Sequence, residues 1–217
     1  IAIGVVFYGG TTAFAVLVAD LFLPAARKSW LGWLAGFGLA AALVALLPLR
    51  DSPRQTCCLP GGTVAELTGQ CSYEVTNLTL ILQLLTLGAA LVVVLMSAPA
   101  IVDRRLPAGE YWFLLLCSVT GALIMAAGRD LITLLVALEL VSLPAFALVA
   151  IDRADRRASE GALKFFLTSV VATAVTLYGI SVLYGTTGGS IHLASLSAAL
   201  EEVSLESPVV GLGVVFT

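Results

Sequence analysis

Long apolar runs separated by short polar joints dominate the chain. Six of them are about as long as the roughly 20 residues a helix needs to cross a ~30 Å hydrocarbon core: Ile1–Leu23, Trp30–Leu49, Thr76–Ile101, Glu110–Ala127, Leu131–Ile151 and Ala162–Tyr184. A seventh opens at Pro208 and reaches Thr217. The runs are too long and too uniformly apolar for barrel strands, and backbone groups in lipid must find partners within their own segment, so the pattern predicts helices. The expected fold is an all-α polytopic transmembrane helix bundle. It forms one domain over residues 1–217, with six full spans and the start of a seventh. The chain opens at Ile1 without a methionine or a charged leader and closes inside an apolar run, so it reads as an incomplete stretch of a longer protein.

Composition agrees with the pattern. The chain is 59% hydrophobic and 12% charged, with a mean hydropathy of +1.05. A soluble domain is nearer 45–50% apolar and about 25% charged. No basic stripe interleaved with aromatics is present, which argues against nucleic-acid binding. No phosphate-binding loop or dinucleotide fingerprint occurs, and no cysteine–histidine set suits a haem or cluster. No metal ligand set and no cofactor is therefore expected in this chain, and redox chemistry or nucleotide hydrolysis is not expected of it.

The joints alternate in charge. Arg27 and Lys28, then Arg104 and Arg105, then Arg153, Arg156 and Arg157 fall on one side. The other side holds Arg50 and Arg54, then Arg129, then no Lys or Arg between Gly185 and Ser207. An excess of Lys and Arg marks the first set as cytoplasmic. That orientation puts the N-terminus outside a bacterial-type inner membrane. Two outer joints are long. Asp51–Val75 carries Cys57, Cys58 and Cys71, read as a disulfide between Cys71 and one of the vicinal pair. Adjacent cysteines with one distant partner match no usual metal-ligand spacing. Cys117, inside a span, reads as an inert packed thiol. In the second long joint, Leu193, Leu196, Leu200 and Val203 recur at helical spacing, which predicts a short surface helix. The only histidine, His192, stands at its start and reads as a solvated residue, with a proton-exit role as the alternative.

Glu139 carries the strongest chemical signal. It is nine residues into the Leu131–Ile151 run, near mid-membrane, where a charged group costs about 2.5–3.5 kcal/mol on insertion scales. Such a group must face a partner or water, and these groups mark ion and proton paths. Pro144 lies in the same run and denies the Leu140 carbonyl its helical N–H. Ser142 and Phe146 extend the Glu139 face at i+3 and i+7. Lys164 lies near the start of the next span, four residues after Glu160. It reads either as a lysine tied to Glu160 or as a titrating partner turned toward Glu139. Thr168, Ser169, Thr173 and Thr176 continue a small, polar surface along that helix and suit close helix packing. Asp20, near Pro24 and Arg27, reads as structural. Arg129 and Asp130 read as a short interfacial turn.

The segments LELVSLP (138–144), EGALKFF (160–166) and LYGISVLYG (177–185), in that order around a basic turn, closely resemble the antiporter-like membrane subunits of proton-translocating NADH–quinone oxidoreductase, respiratory complex I. Within that family the wording is most similar to the N type. Over the first hundred residues the resemblance is one of hydropathy and span order. It implies a fragment of a fold of about fourteen helices with two inverted repeats. It implies protons carried by buried charged residues and driven by quinone reduction elsewhere in a multisubunit membrane complex. Glu139 and Lys164 match the family's proton-translocating glutamate of the fifth helix and lysine of the sixth. The family's partner lysine of the seventh helix would lie beyond Thr217. The competing readings are a cation/proton antiporter without a redox partner, and a structural bundle in which Glu139 does not titrate.

Overall fold

The computed structural model describes residues 4–24, 28, 30–47, 54–58, 71–104, 106–189, 191–202 and 208–217. Its elements in chain order are α1 (Gly4–Phe22), α2 (Trp30–Leu46), β1 (Arg54–Cys58), β2 (Cys71–Val75), α3 (Asn77–Asp103), α4 (Ala108–Ala127), α5 (Leu131–Val149), α6 (Arg156–Thr186), α7 (Leu193–Glu202) and α8 (Pro208–Phe216). The chain is membrane-embedded and helical, as its hydropathy requires. Helices α3, α4, α5 and α6 are each long and apolar enough to cross a bilayer. The described apolar stretches of α1 and α2 are shorter, Val6–Phe22 and Trp30–Leu46.

Polar caps set several helix starts. Thr76 accepts from the Thr79 N–H and opens α3. Asp130 accepts from the Thr133 N–H at 2.7 Å and from the Thr133 hydroxyl at 2.8 Å, so α5 begins at Leu131. Asp155 accepts from the Arg157 N–H and starts α6 at Arg156, earlier than hydropathy alone places it. At 31 residues α6 runs about 46 Å by helical rise, so it projects beyond a ~30 Å core.

Helix α4 is the hub. It packs against α1, α2, α3 and α5, while α6 packs against α5 and α8. Leu31, Leu87, Leu116 and Leu123 are fully buried around it, with Trp112 beside them. The outward faces of α1, α2, α3 and α6 carry exposed Phe, Leu and Val side chains, as lipid-facing surfaces do. Two glycines allow near contact of backbones. A Cβ at Gly121 of α4 would stand 2.9 Å from the Leu140 carbonyl carbon and the Val141 nitrogen of α5. A Cβ at Gly179 of α6 would stand 2.7 Å from Phe216 backbone.

The long joint after α2 holds a feature that hydropathy does not reveal. Strands β1 and β2 form an antiparallel hairpin in which Cys58 faces Cys71, and these two are joined as a disulfide. The Cys57 side chain lies outside the described residues. The hairpin is fastened to the end of the bundle. The Arg129 N–H donates to the Ser72 carbonyl at 3.0 Å, and the Arg129 guanidinium pairs with Glu74 at 2.9 Å. The Leu193 N–H donates to the Arg129 carbonyl, and the Leu131 N–H to the Ile191 carbonyl. One short network thus ties the hairpin, the α4–α5 turn and the approach to α7. The predicted surface helix is present as α7, with Leu196 and Leu200 packed against Leu131 and Leu183. Val203 lies outside the described residues.

Candidate functional site

Helix α5 carries Glu139 as its ninth residue of 19, which puts it at mid-helix. The side chain is half-buried and faces α6. The Thr173 hydroxyl donates to Glu139 Oε1 at 2.7 Å. One turn further on, the Ser142 hydroxyl donates to the Glu139 carbonyl at 3.4 Å. Pro144 is buried within the continuous helix. It offers no N–H to the Leu140 carbonyl. Gly121 brings α4 onto the backbone at this point, and the Ser118 hydroxyl donates to the adjacent Val141 carbonyl at 3.3 Å. Glu139 therefore sits beside a stretch of helix whose ladder is interrupted at the Leu140 carbonyl, with a hydroxyl from α4 on the next carbonyl along.

Two contacts fix the register of α5 against α6. Glu139 meets Thr173, and the Phe146 ring meets Phe165 and Phe166 edge-on at 4.8 and 5.7 Å. The helices are antiparallel, and the aromatic cluster lies about two turns from the carboxylate. Lys164 precedes Thr173 by nine residues, about 13 Å along the axis. Its ammonium donates to Glu160 Oε1 at 2.6 Å, and both side chains are largely exposed. The structure thus brings Glu139 to Thr173 and Lys164 to Glu160, with the phenylalanine cluster between the two pairs.

The remaining candidates also have partners. Asp20 pairs with Lys28 at 2.9 Å and packs on Gly109 in the first turn of α4. Helix α4 has no side-chain cap of its own there, so the Asp20 carboxylate lies where a helix N-terminus favours negative charge. Asp130 is buried and caps α5, a firmer role than an interfacial anchor. His192 is half-buried rather than solvated. Its Nε2–H donates to the Cys71 carbonyl at 3.3 Å, and Nδ1 accepts from the Ala194 N–H at 3.4 Å. A carbonyl can only accept, so these two bonds assign the neutral Nε2–H tautomer. Cys58 and Cys71 are joined to each other, so neither offers a thiolate to a metal. Sequence reasoning passed over Gln83, which is fully buried in α3, and Tyr73, a buried residue of β2 in the hairpin. A glutamine inside an apolar span was the signal available.

Similarity to known proteins follows the same lines. The family described as "NADH:quinone oxidoreductase/Mrp antiporter, TM" matches residues 128–217, which include Glu139, Lys164 and Thr173. NADH-quinone oxidoreductase subunit N 2 of Streptomyces griseus is 58% identical over 191 residues, covering 88% of this chain and 34% of that protein. Subunit N of Salinispora tropica is 39% identical, covering 88% of this chain and 35% of its own length. The chain thus spans about a third of the length of these relatives. Their coverage reaches well into the first hundred residues, where hydropathy alone carried the resemblance. Among solved structures, respiratory complex I from Thermus thermophilus matches with a TM-score of 0.71 and 27% identity, over 98% of this chain and 42% of that one. The Mrp complex from Dietzia shares the fold, with a TM-score of 0.70 at 17% identity over 97% of this chain and 22% of that one. Over most of its length the chain is thus similar to about a third of NADH–quinone oxidoreductase subunit N, and its residues 128–217 match the antiporter-like membrane family.

Proposed function

We propose that this chain is part of a proton-translocating membrane-arm subunit of an NADH–quinone oxidoreductase, and that Glu139 takes and passes a proton within it. The observation that carries the reading is a carboxylate at mid-helix, hydrogen-bonded to Thr173 of the neighbouring helix, in a chain 58% identical to a subunit N. Apolar surroundings favour the neutral carboxyl, whereas an approaching cation favours the carboxylate, so a change in its partners can load or release a proton. The α5 backbone beside Pro144 offers an acceptor to a neighbouring group or water. Lys164 acts on the same helix pair from the level of Glu160, two to three turns away. It is the second proton-translocating residue of this stretch.

Moving one proton against ~100 mV requires roughly 2.3 kcal/mol, so an external driver is needed. In this proposal quinone reduction in other subunits supplies it, and this chain holds no cofactor. Its partners are the other membrane-arm subunits and the lipid. The N-terminus lies outside a bacterial-type inner membrane, with the disulfide-closed hairpin on the oxidising face. The alternative is a cation/proton antiporter subunit, which has the same helix set and is supported by the shared fold and by the family match over residues 128–217, whereas the relatives of high identity are subunit N proteins.

Purification of the tagged full-length protein in mild detergent tests the proposal. Recovery with an NADH-oxidising hydrophilic arm, and NADH-driven proton uptake by vesicles holding the assembly, is the expected result. Sodium-dependent exchange by a particle lacking that arm would transfer the assignment to the antiporter.

A further inference from the structure

Among the described residues, three buried side-chain polar atoms lack a hydrogen bond: Asp20 Oδ1, Arg129 Nε and Gln83 Oε1. The first two are engaged in ion pairs, with Lys28 and Glu74. Gln83 Oε1 has neither kind of partner and sits in a residue with 0% exposure, so bulk solvent does not reach it.

The amide cannot be reversed to cure this. Gln83 Nε2 is 3.1 Å from the Leu123 carbonyl of α4 and 3.0 Å from the Tyr73 hydroxyl of β2. A backbone carbonyl only accepts, so the NH2 group must face Leu123. With Nε2 donating to both oxygens, the Tyr73 hydroxyl acts as an acceptor there, and its own proton points elsewhere. Tyr73 is 5% exposed, and burial raises its pKa above the usual phenol value, so that proton stays on the oxygen. A buried donor and a buried acceptor thus stand beside one another, each needing a partner. Thr79, one turn before Gln83 on the same helix face, does not supply it, because its hydroxyl donates to the Glu74 carbonyl at 3.3 Å.

We propose that a single ordered water molecule binds here, accepting from the Tyr73 hydroxyl and donating to Gln83 Oε1. Water presents a donor and an acceptor from the same atom and needs no apolar group to be accommodated, and buried waters usually serve polar groups left over by the protein. The bound water completes a polar joint between β2, α3 and α4. The hairpin is then held to the bundle interior as well as to its rim. This site is separate from Glu139 and stands whether or not that residue carries protons.

The test is a high-resolution experimental map of the full-length protein in its membrane assembly, for the wild type and for Tyr73→Phe. The expected result is one density peak at roughly hydrogen-bond distance, 2.5–3.0 Å, from both Tyr73 and Gln83 oxygens. That peak disappears in Tyr73→Phe, while Gln83 stays bonded to Leu123. Absence of the peak in the wild type, at a resolution where other buried waters are seen, overturns the proposal. So does a peak that persists unchanged in Tyr73→Phe. Gln83→Met provides the same comparison from the other partner, should the phenylalanine variant fail to fold.

Discussion

Thr173 and Glu139 stand 34 positions apart in the chain, on two helices, and meet in one hydrogen bond of 2.7 Å between hydroxyl and carboxylate. The bond orients a group that would otherwise have several rotamers. It also offers stabilisation that strengthens when the acid is ionised, because hydrogen bonds to charged groups contribute about 1.5–3 kcal/mol.

Thr173→Val keeps the shape and removes the donor. The expected outcome is assembly at normal levels with NADH-driven proton uptake reduced several-fold, up to about tenfold for a loss near 1.4 kcal/mol. Thr173→Ser restores the donor and most of the rate. Equal rates in all three proteins would show that the bond has no part in transfer. Vesicle acidification alongside native-gel assembly decides between them.

Gly121→Ala forces a methyl group to within 2.9 Å of α5 backbone at Leu140 and Val141. Backbone cannot swing aside as a side chain does, so α4 and α5 must separate. Overpacking of this kind costs about 1–3 kcal/mol. A lower melting temperature in detergent, with reduced yield of assembled protein, is predicted. Gly10→Ala, with nothing within 4 Å of its added Cβ, is the control that leaves both unchanged.

How much of this was legible beforehand varies with the physics of each feature. Apolar runs locate helices in lipid because only helices satisfy the backbone there, so α3 and α5 begin within a residue of the predicted starts. Helix α6 begins at Arg156 because its first turns, RRASE, are polar yet helical under the Asp155 cap. Hydropathy reports the membrane, not the helix. The hairpin was not legible, since five-residue strands such as RQTCC carry little pattern and pair across a long joint. Its cysteines gave the only sign. Successive strand positions face opposite sides, so only one of two adjacent cysteines can meet Cys71. The register selects Cys58. The depth of Glu139 could be counted from the sequence. Its partner could not, because that depends on how α6 is rotated about its axis, and several hydroxyl residues line that helix.

The disulfide makes its own prediction. Peptide mapping without reduction should recover a Cys58–Cys71 link across 13 residues, retained in Cys57→Ser and lost in Cys58→Ser. Closing a loop of about 15 residues contributes about 3 kcal/mol in the chain-entropy model. Loss of the link should therefore loosen the hairpin end, read as faster hydrogen exchange at Ser72, Tyr73 and Arg129. Undiminished protection there would mean that the backbone and ion-pair contacts hold the hairpin alone.

Tyr73 links the same region to pH. Burial raises its phenol above the ordinary value near 10, more than the Gln83 hydrogen bond lowers it. The folded state therefore holds the proton more tightly than the unfolded chain. Its contribution is complete below about pH 10 and falls as pH rises beyond that toward the folded value. Thermal melts across alkaline pH should show this decline, and Tyr73→Phe should flatten the part due to this group. An identical decline in the variant would assign it to other residues.

The measurement that bears most directly on the central claim is NADH-driven acidification of inverted membrane vesicles carrying the full-length protein, wild type against Glu139→Gln. The amide is nearly isosteric and still offers an oxygen to Thr173, so assembly should persist. Proton uptake and quinone reduction should fall together, because the group that binds the proton is gone. If both rates stay at wild-type values in the assembled complex, Glu139 is a structural acid and the proton path runs elsewhere.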